Sequence, residues 1–140
     1  MTRALLPLAA AICLLAAGCA DIPDAGSASI QPLLSRSSLD QKVAAGGEPV
    51  AVFYYKPGCP HCHAAYPTQQ KLSEEYAGRV DFYQANIPAR PELLPYEDRI
   101  TMAPTVILWV NGREFRRIEG HKSEQVYRAA LEEAIAAEGA

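Results

Sequence analysis

Four consecutive residues, Cys59-Pro60-His61-Cys62, put two thiols one helical turn apart with a proline and an imidazole between them. Thiols at this spacing can cycle between dithiol and disulfide, and the species that attacks in such an exchange is the thiolate. The tetrapeptide follows Pro49 to Tyr55, a nearly continuous apolar run, and then Lys56-Pro57-Gly58. It therefore reads as the junction between a buried strand and a helix. At that junction Cys59 takes the N-cap, where free backbone N–H groups and the positive end of the helix dipole favour thiolate over thiol. Pro60 falls at the first helical position, where its missing N–H costs nothing. Cys62, one turn on, points back towards Cys59 from the interior, so Cys59 is the attacking thiol and Cys62 the resolving one. His61, near the same helix end, would further stabilise the Cys59 thiolate. His63 reads as a helix-surface residue.

Two other chemistries fit the same residues. Cys59-Pro60-His61-Cys62-His63 satisfies the Cys-x-x-Cys-His pattern of covalent c-type haem attachment, with Met102 or His121 as a distal ligand. Such an electron carrier calls for a largely helical chain, which the strand before the motif opposes. Cys59 and Cys62 with His61 or His63 would also be soft ligands in a metal-binding module. A single Cys-x-x-Cys without a second pair supports that reading weakly, and adjacent histidines cannot all converge on one ion. No metal is assigned.

The elements that must position the motif follow from periodicity and turn residues. Ser38 to Ala45 has a polar cap and helix formers and stops at Gly46-Gly47, a short helix. Pro49 to Tyr55 is rich in β-branched and aromatic residues, as suits a strand buried on both faces. A helix is expected from Cys59 to about Tyr76, ending at Gly78. Then come a strand over Val80 to Ala85, a short helix over Pro91 to Arg99, and strands over Thr105 to Val110 and Glu114 to Ile118. Asn111-Gly112 between the last two is a strong hairpin signal. Ser123 to Ala137 closes the chain as an amphipathic helix with Val126, Ala130, Leu131 and Ile135 on one side. Phe53 and Trp109 are expected in or near the core, with Tyr66 and Tyr96 at the rim of the site. This alternation predicts an α/β domain with a central mixed sheet of four to five strands and helices on both faces.

With those residues in place, the region from Ser38 to Ala140 resembles the thioredoxin superfamily, and Pro-His between the cysteines is similar to the DsbA-type disulfide oxidases. The resemblance implies a thioredoxin-like fold and a protein thiol–disulfide oxidoreductase whose only redox group is the Cys59–Cys62 disulfide, with no cofactor. Ala103-Pro104-Thr105 is similar to the family's cis-proline loop, which lies against the two cysteines and pairs with substrate backbone. Pro67 stands where the family commonly carries a proline in the active-site helix, and Gly120 matches a glycine near the substrate groove. Two departures accompany these matches. The strand Val50-Ala51-Val52-Phe53-Tyr54-Tyr55 lacks the buried acid that many thioredoxins use to move a proton from the resolving cysteine, and Gly58 replaces the aromatic residue before the first cysteine. No long helical insertion separates the active-site helix from Pro104, which argues against a full DsbA. The direction of electron flow, oxidase or isomerase against reductase, stays open.

The first residues read as an address. One cation, Arg3, precedes an uncharged apolar run from Ala4 to Ala17, too short to span a bilayer and of the length of a secretory signal. Leu15-Ala16-Ala17-Gly18-Cys19 resembles the bacterial lipobox, which implies a lipoprotein signal over residues 1–18 and acylation of Cys19 at the mature N-terminus. Residues 19–37, rich in Asp, Pro, Gly, Ala and Ser, then read as a flexible tether, and 38–140 as the domain. The 140 residues suit one core, and 49% hydrophobic with 21% charged residues excludes wholesale disorder. The formal charge of −3 gives no footprint for nucleic acid. Of four cysteines, Cys13 would leave with the signal, Cys19 would carry lipid, and Cys59 and Cys62 would be redox-active. The expected setting is the bacterial cell envelope, with the domain facing the periplasm or exterior. The expected partners are cysteine-containing envelope proteins and a membrane redox partner.

Overall fold

In the computed structural model, which describes residues 21–89, 91 and 100–140, the most buried stretch of chain is the strand leading to the cysteine pair. All six residues of Val50–Tyr55 are buried. In chain order the elements are β1 (Gln31–Pro32), α1 (Arg36–Ala44), β2 (Val50–Tyr55), α2 (Pro60–Glu75), β3 (Asp81–Asn86), β4 (Thr105–Val110), β5 (Arg113–Glu119) and α3 (Glu124–Glu138). They form one sheet in the order β1-β3-β2-β4-β5. β2 runs parallel to β3 and antiparallel to β4, so it is flanked on both sides, and β4 pairs antiparallel with β5.

Alternation along β2 divides the core. Ala51, Phe53 and Tyr55 face a cluster with Cys62, Ala65, Tyr66 and Leu72 of α2 and Tyr127, Ala130 and Leu131 of α3. Val50, Val52 and Tyr54 face a second cluster with Leu39 and Val43 of α1 and Ile107 of β4. The sheet is therefore covered on both faces, as the sequence predicts for a strand without polar alternation. Burial of such side chains stabilises by roughly 1.5–3 kcal/mol each, and this anchors the end of β2 from which the cysteine loop leaves. The β4–β5 turn is the expected two-residue hairpin. Asn111 and Gly112 have φ of 49° and 81°, the positive values that a type I′ turn needs at both central positions.

Three readings change. The stretch expected to be a flexible tether is held to the domain over its described part: Ile22, Ile30 and Leu33 are buried, and Gln31–Pro32 pairs in parallel with Tyr83 and Gln84 of β3. Few apolar residues, irregularly spaced, carry this docking, so no periodicity announces it. α1 begins at Arg36 rather than Ser38, because the Ser35 hydroxyl caps it by accepting the Ser38 N–H at 3.2 Å. The buried face of α3 is Tyr127, Ala130, Leu131 and Ala134, and Val126 is exposed. Tyr127 can go inside because its hydroxyl is satisfied there, donating to the Gly120 carbonyl at 3.3 Å and accepting the Lys122 N–H at 3.2 Å. The signal over residues 1–18, Cys13, Cys19, Tyr96 and the short helix expected after Pro91 lie outside the described residues. Among the described residues no helix is long and apolar enough to cross a membrane.

Candidate active site

The loop Lys56-Pro57-Gly58 turns the chain from β2 into α2, and Cys59 caps the helix with extended backbone angles, φ −85° and ψ 112°. Its sulfur accepts the backbone N–H of Cys62 at 3.3 Å, and Pro60 occupies the first turn, where no N–H is needed. Both thiols are free; Cys59 is partly exposed and Cys62 fully buried. Burial, with the Cys59 sulfur beside it, pushes the Cys62 thiol up to about 12. The two sulfurs are thus chemically unequal: one belongs to a partly exposed residue and accepts the Cys62 N–H, the other is kept neutral inside.

Across from α2 lies the loop before β4. The Ala103–Pro104 peptide bond is cis, and the Cys59 thiol lies 3.7 Å from the Ala103 carbonyl oxygen, the atom it would donate to. Pro104 and Thr105 are buried, and the Thr105 hydroxyl holds the loop by donating to the Met102 carbonyl at 2.7 Å. Gly120 closes the same corner, since its N–H donates to the Pro104 carbonyl at 2.7 Å. Its φ is +76°, and a Cβ there would sit 3.2 Å from the Met102 sulfur, so both backbone and space call for glycine. Met102 is half exposed at this edge. Cys59, Ala103, Pro104, Thr105 and Gly120 therefore meet in one place, as their resemblance implies.

The histidines divide differently. His61 is exposed on the first turn of α2. His63 is half-buried, and its Nε2 lies 3.3 Å from a carboxylate oxygen of Asp21, though not aligned as a hydrogen bond. Pro67 stands inside α2 on its exposed side. Met102 and His121 are both exposed, and among the described residues no three His, Cys, Asp or Glu side chains gather as a metal-binding group.

Beneath the site, where the strand carries no acid, there is an aromatic and amide layer. Phe53 stacks on Tyr55 with centroids 6.0 Å apart and tilts against Tyr66 at 5.8 Å. Tyr66 is buried rather than at the rim, donating its hydroxyl to Gln84 Oε1 at 2.9 Å. Gln84 donates to the Pro23 carbonyl, and Tyr55 donates to Asp24 Oδ1 at 2.6 Å, where Asn86 also donates at 2.8 Å. Burial together with the Asp24 carboxylate drives the Tyr55 hydroxyl well above its ordinary value, so it stays protonated. Asp24 and Gln84 escaped the sequence reading. The one signal for Gln84 is an uncharged polar residue in the middle of an otherwise inward-facing strand.

Comparison with known proteins bears on the same region. A family model described as Thioredoxin matches residues 31–133. Thioredoxin-like 3-2, chloroplastic, of Arabidopsis thaliana is 29% identical over 110 residues, covering 76% of this chain and 57% of that protein. Thioredoxin M4, chloroplastic, of the same plant is 31% identical over 113 residues, covering 80% and 56%. The chain thus spans little more than half the length of these two relatives. Thioredoxin-1 of Saccharomyces cerevisiae is 30% identical over 88 residues, 63% of this chain and 79% of that one. The solved structure of Malassezia sympodialis thioredoxin overlays with a TM-score of 0.67 at 23% identity, covering 76% of this chain and 91% of that chain, a likeness of fold.

Proposed function

This chain belongs to the thioredoxin family, and from that premise we propose that it is a membrane-tethered thiol–disulfide oxidoreductase acting on proteins of the bacterial cell envelope. The observation that carries the reading is the unequal pair: Cys59 partly exposed and capping α2 with its sulfur, and Cys62 buried one turn below. In the reducing direction the Cys59 thiolate attacks one sulfur of a substrate disulfide. An S–S bond forms between Cys59 and that sulfur while the substrate's own S–S bond breaks, and the second substrate sulfur leaves as a thiolate and takes a proton. Cys62 then gives up its proton and attacks the Cys59 sulfur, releasing the first substrate thiol. The substrate has gained two electrons and two protons, and Cys59–Cys62 has become a disulfide. The oxidising direction is the reverse.

The chain's own groups account for the steps. The helix N-terminus stabilises charge on the Cys59 sulfur, and the burial of Cys62 keeps it a thiol until the mixed disulfide has formed. The Ala103-Pro104-Thr105 loop supplies carbonyl and N–H groups against which an extended substrate segment can lie beside Cys59. His61, exposed next to Cys59, tunes the balance of dithiol and disulfide from outside the core. The tether and the envelope setting rest on the lipobox resemblance at Cys19, and the partners on the reactive pair itself. Trapping tests the reading in cells: a Cys62→Ala chain should accumulate mixed disulfides with envelope proteins through Cys59, and a Cys59→Ala chain none. Equal trapping by both variants, or by neither, would overturn it, and equilibration of the wild type with glutathione would then give the direction for an active protein.

A further inference from the structure

The segment just after Cys19 is fastened to the same end of the sheet that carries the cysteine pair. Ile22 is buried in the core cluster that contains Cys62. The Pro23 carbonyl accepts from Gln84, and the Asp24 carboxylate accepts from Tyr55 and Asn86, the last residues of β2 and β3. Asp21 lies 3.3 Å from Nε2 of His63, in the first turn of α2, and His63 donates its backbone N–H to the Cys59 carbonyl at 3.1 Å. The strap is shaped by its sequence as well as held by it. Gly26 has φ +77°, closes a turn by donating to the Pro23 carbonyl at 2.9 Å, and would place a Cβ only 2.2 Å from the Ile30 carbonyl oxygen. No other residue type suits that turn.

Asp21 is two positions on from Cys19, with only Ala20 between them, a reach of at most about 7 Å of extended chain. An acyl anchor at Cys19 would therefore leave almost no free tether between the bilayer and the first turn of α2. We infer that the Asp21–Asp24 strap holds the Cys59 end of the domain at the membrane surface, so that the partner the site fits is a cysteine pair presented there by a membrane protein. This rests on the acylation of Cys19 proposed above. A freely diffusing protein would have to bring its disulfide into the narrow space between the domain and the headgroups.

The test uses the full acylated chain in vesicles of phosphatidylethanolamine and phosphatidylglycerol. Its Cys62→Ala form is offered one disulfide in two carriers: a pyridyl disulfide on a lipid headgroup in the same vesicles, and the same group on a polyethylene glycol of about 5 kDa in solution. A second chain carries about twenty Gly and Ser residues inserted between Ala20 and Asp21, which leaves every strap contact in place. The intact chain should react with the polymer-borne disulfide at least about tenfold more slowly than the inserted chain, while both react with the lipid-borne one. Equal polymer rates with and without the insertion, on chains that float with the vesicles, would overturn the placement alone. A chain that does not float with the vesicles would overturn the acyl anchor, and the placement with it.

Discussion

The sulfur of Cys59 accepts the backbone N–H of Cys62 at 3.3 Å, so in the proposed exchange the resolving residue would also help to hold the nucleophile. One helix turn performs both tasks because Cys59 is its cap, with the Cys62 N–H on its sulfur and the His63 N–H on its carbonyl oxygen. The partner on the far side is the carbonyl of Ala103, at 3.7 Å from the same sulfur.

This arrangement predicts selective alkylation. In the reduced protein at neutral pH, iodoacetamide should modify Cys59 and leave Cys62 untouched until denaturant is added, as read by peptide mass spectrometry. Modification of both at similar rates in the folded chain would contradict the burial of Cys62.

Burial also makes Cys62 a source of pH dependence. Its thiol is raised in the folded protein from an ordinary 9.0 to about 12. A group raised by folding contributes stability that is whole below its unfolded value and is lost as pH climbs through the folded one. The urea midpoint of the reduced protein should therefore fall between pH 9 and 12, and Cys62→Ala should fall less over the same range. Buried Tyr66 and Tyr127 are raised too, so the difference between the two chains, on the order of a few kcal/mol at most, is the quantity that reports on Cys62.

Gly120→Ala should damage the groove without touching either thiol. The new methyl meets the Met102 sulfur at 3.2 Å and the positive φ of 76° strains any L side chain. A loss of about 1 kcal/mol in chemical denaturation is expected, with slower exchange towards protein disulfides and unchanged Cys59 alkylation by a small reagent. Slowing of both reactions equally would point to general loosening instead.

The docked N-terminal segment gives a stability test of its own. Ile22→Ala should cost about 2 kcal/mol, the low end for a buried Ile, whereas a free tether would tolerate it. Asp24→Ala and Tyr55→Phe should each destabilise, and in combination by less than their sum, with a coupling of about 1 kcal/mol, because both remove the same 2.6 Å hydrogen bond.

Much of this architecture can be read before any coordinates. β2 is legible because six apolar residues in a row, rich in β-branched and aromatic types and followed by Pro57-Gly58, suit a strand buried on both faces, and the hairpin because Asn111-Gly112 suits the backbone angles it adopts. The cysteine pair is legible because the N-cap position makes its chemistry local. What could not be read depends on contacts far apart in the chain. A two-residue strand such as Gln31–Pro32 exists only by pairing with β3, and Gln84 gains its meaning from Tyr66 and Pro23, at sequence distances of 18 and 61. The face of α3 keeps Ala130 and Leu131 but takes Tyr127 in place of Val126, because the tyrosine hydroxyl finds the Gly120 carbonyl inside.

The most direct measurement is reaction of the purified, reduced protein with oxidised glutathione, quenched in acid and weighed by mass spectrometry. The wild type should end as an intramolecular Cys59–Cys62 disulfide with no adduct, Cys62→Ala should end with one glutathione on Cys59, and Cys59→Ala should stay unmodified. A Cys59→Ala chain that takes up glutathione at Cys62 as readily as Cys62→Ala does at Cys59, or a wild type that keeps a stable adduct, would contradict the division of labour between the two sulfurs.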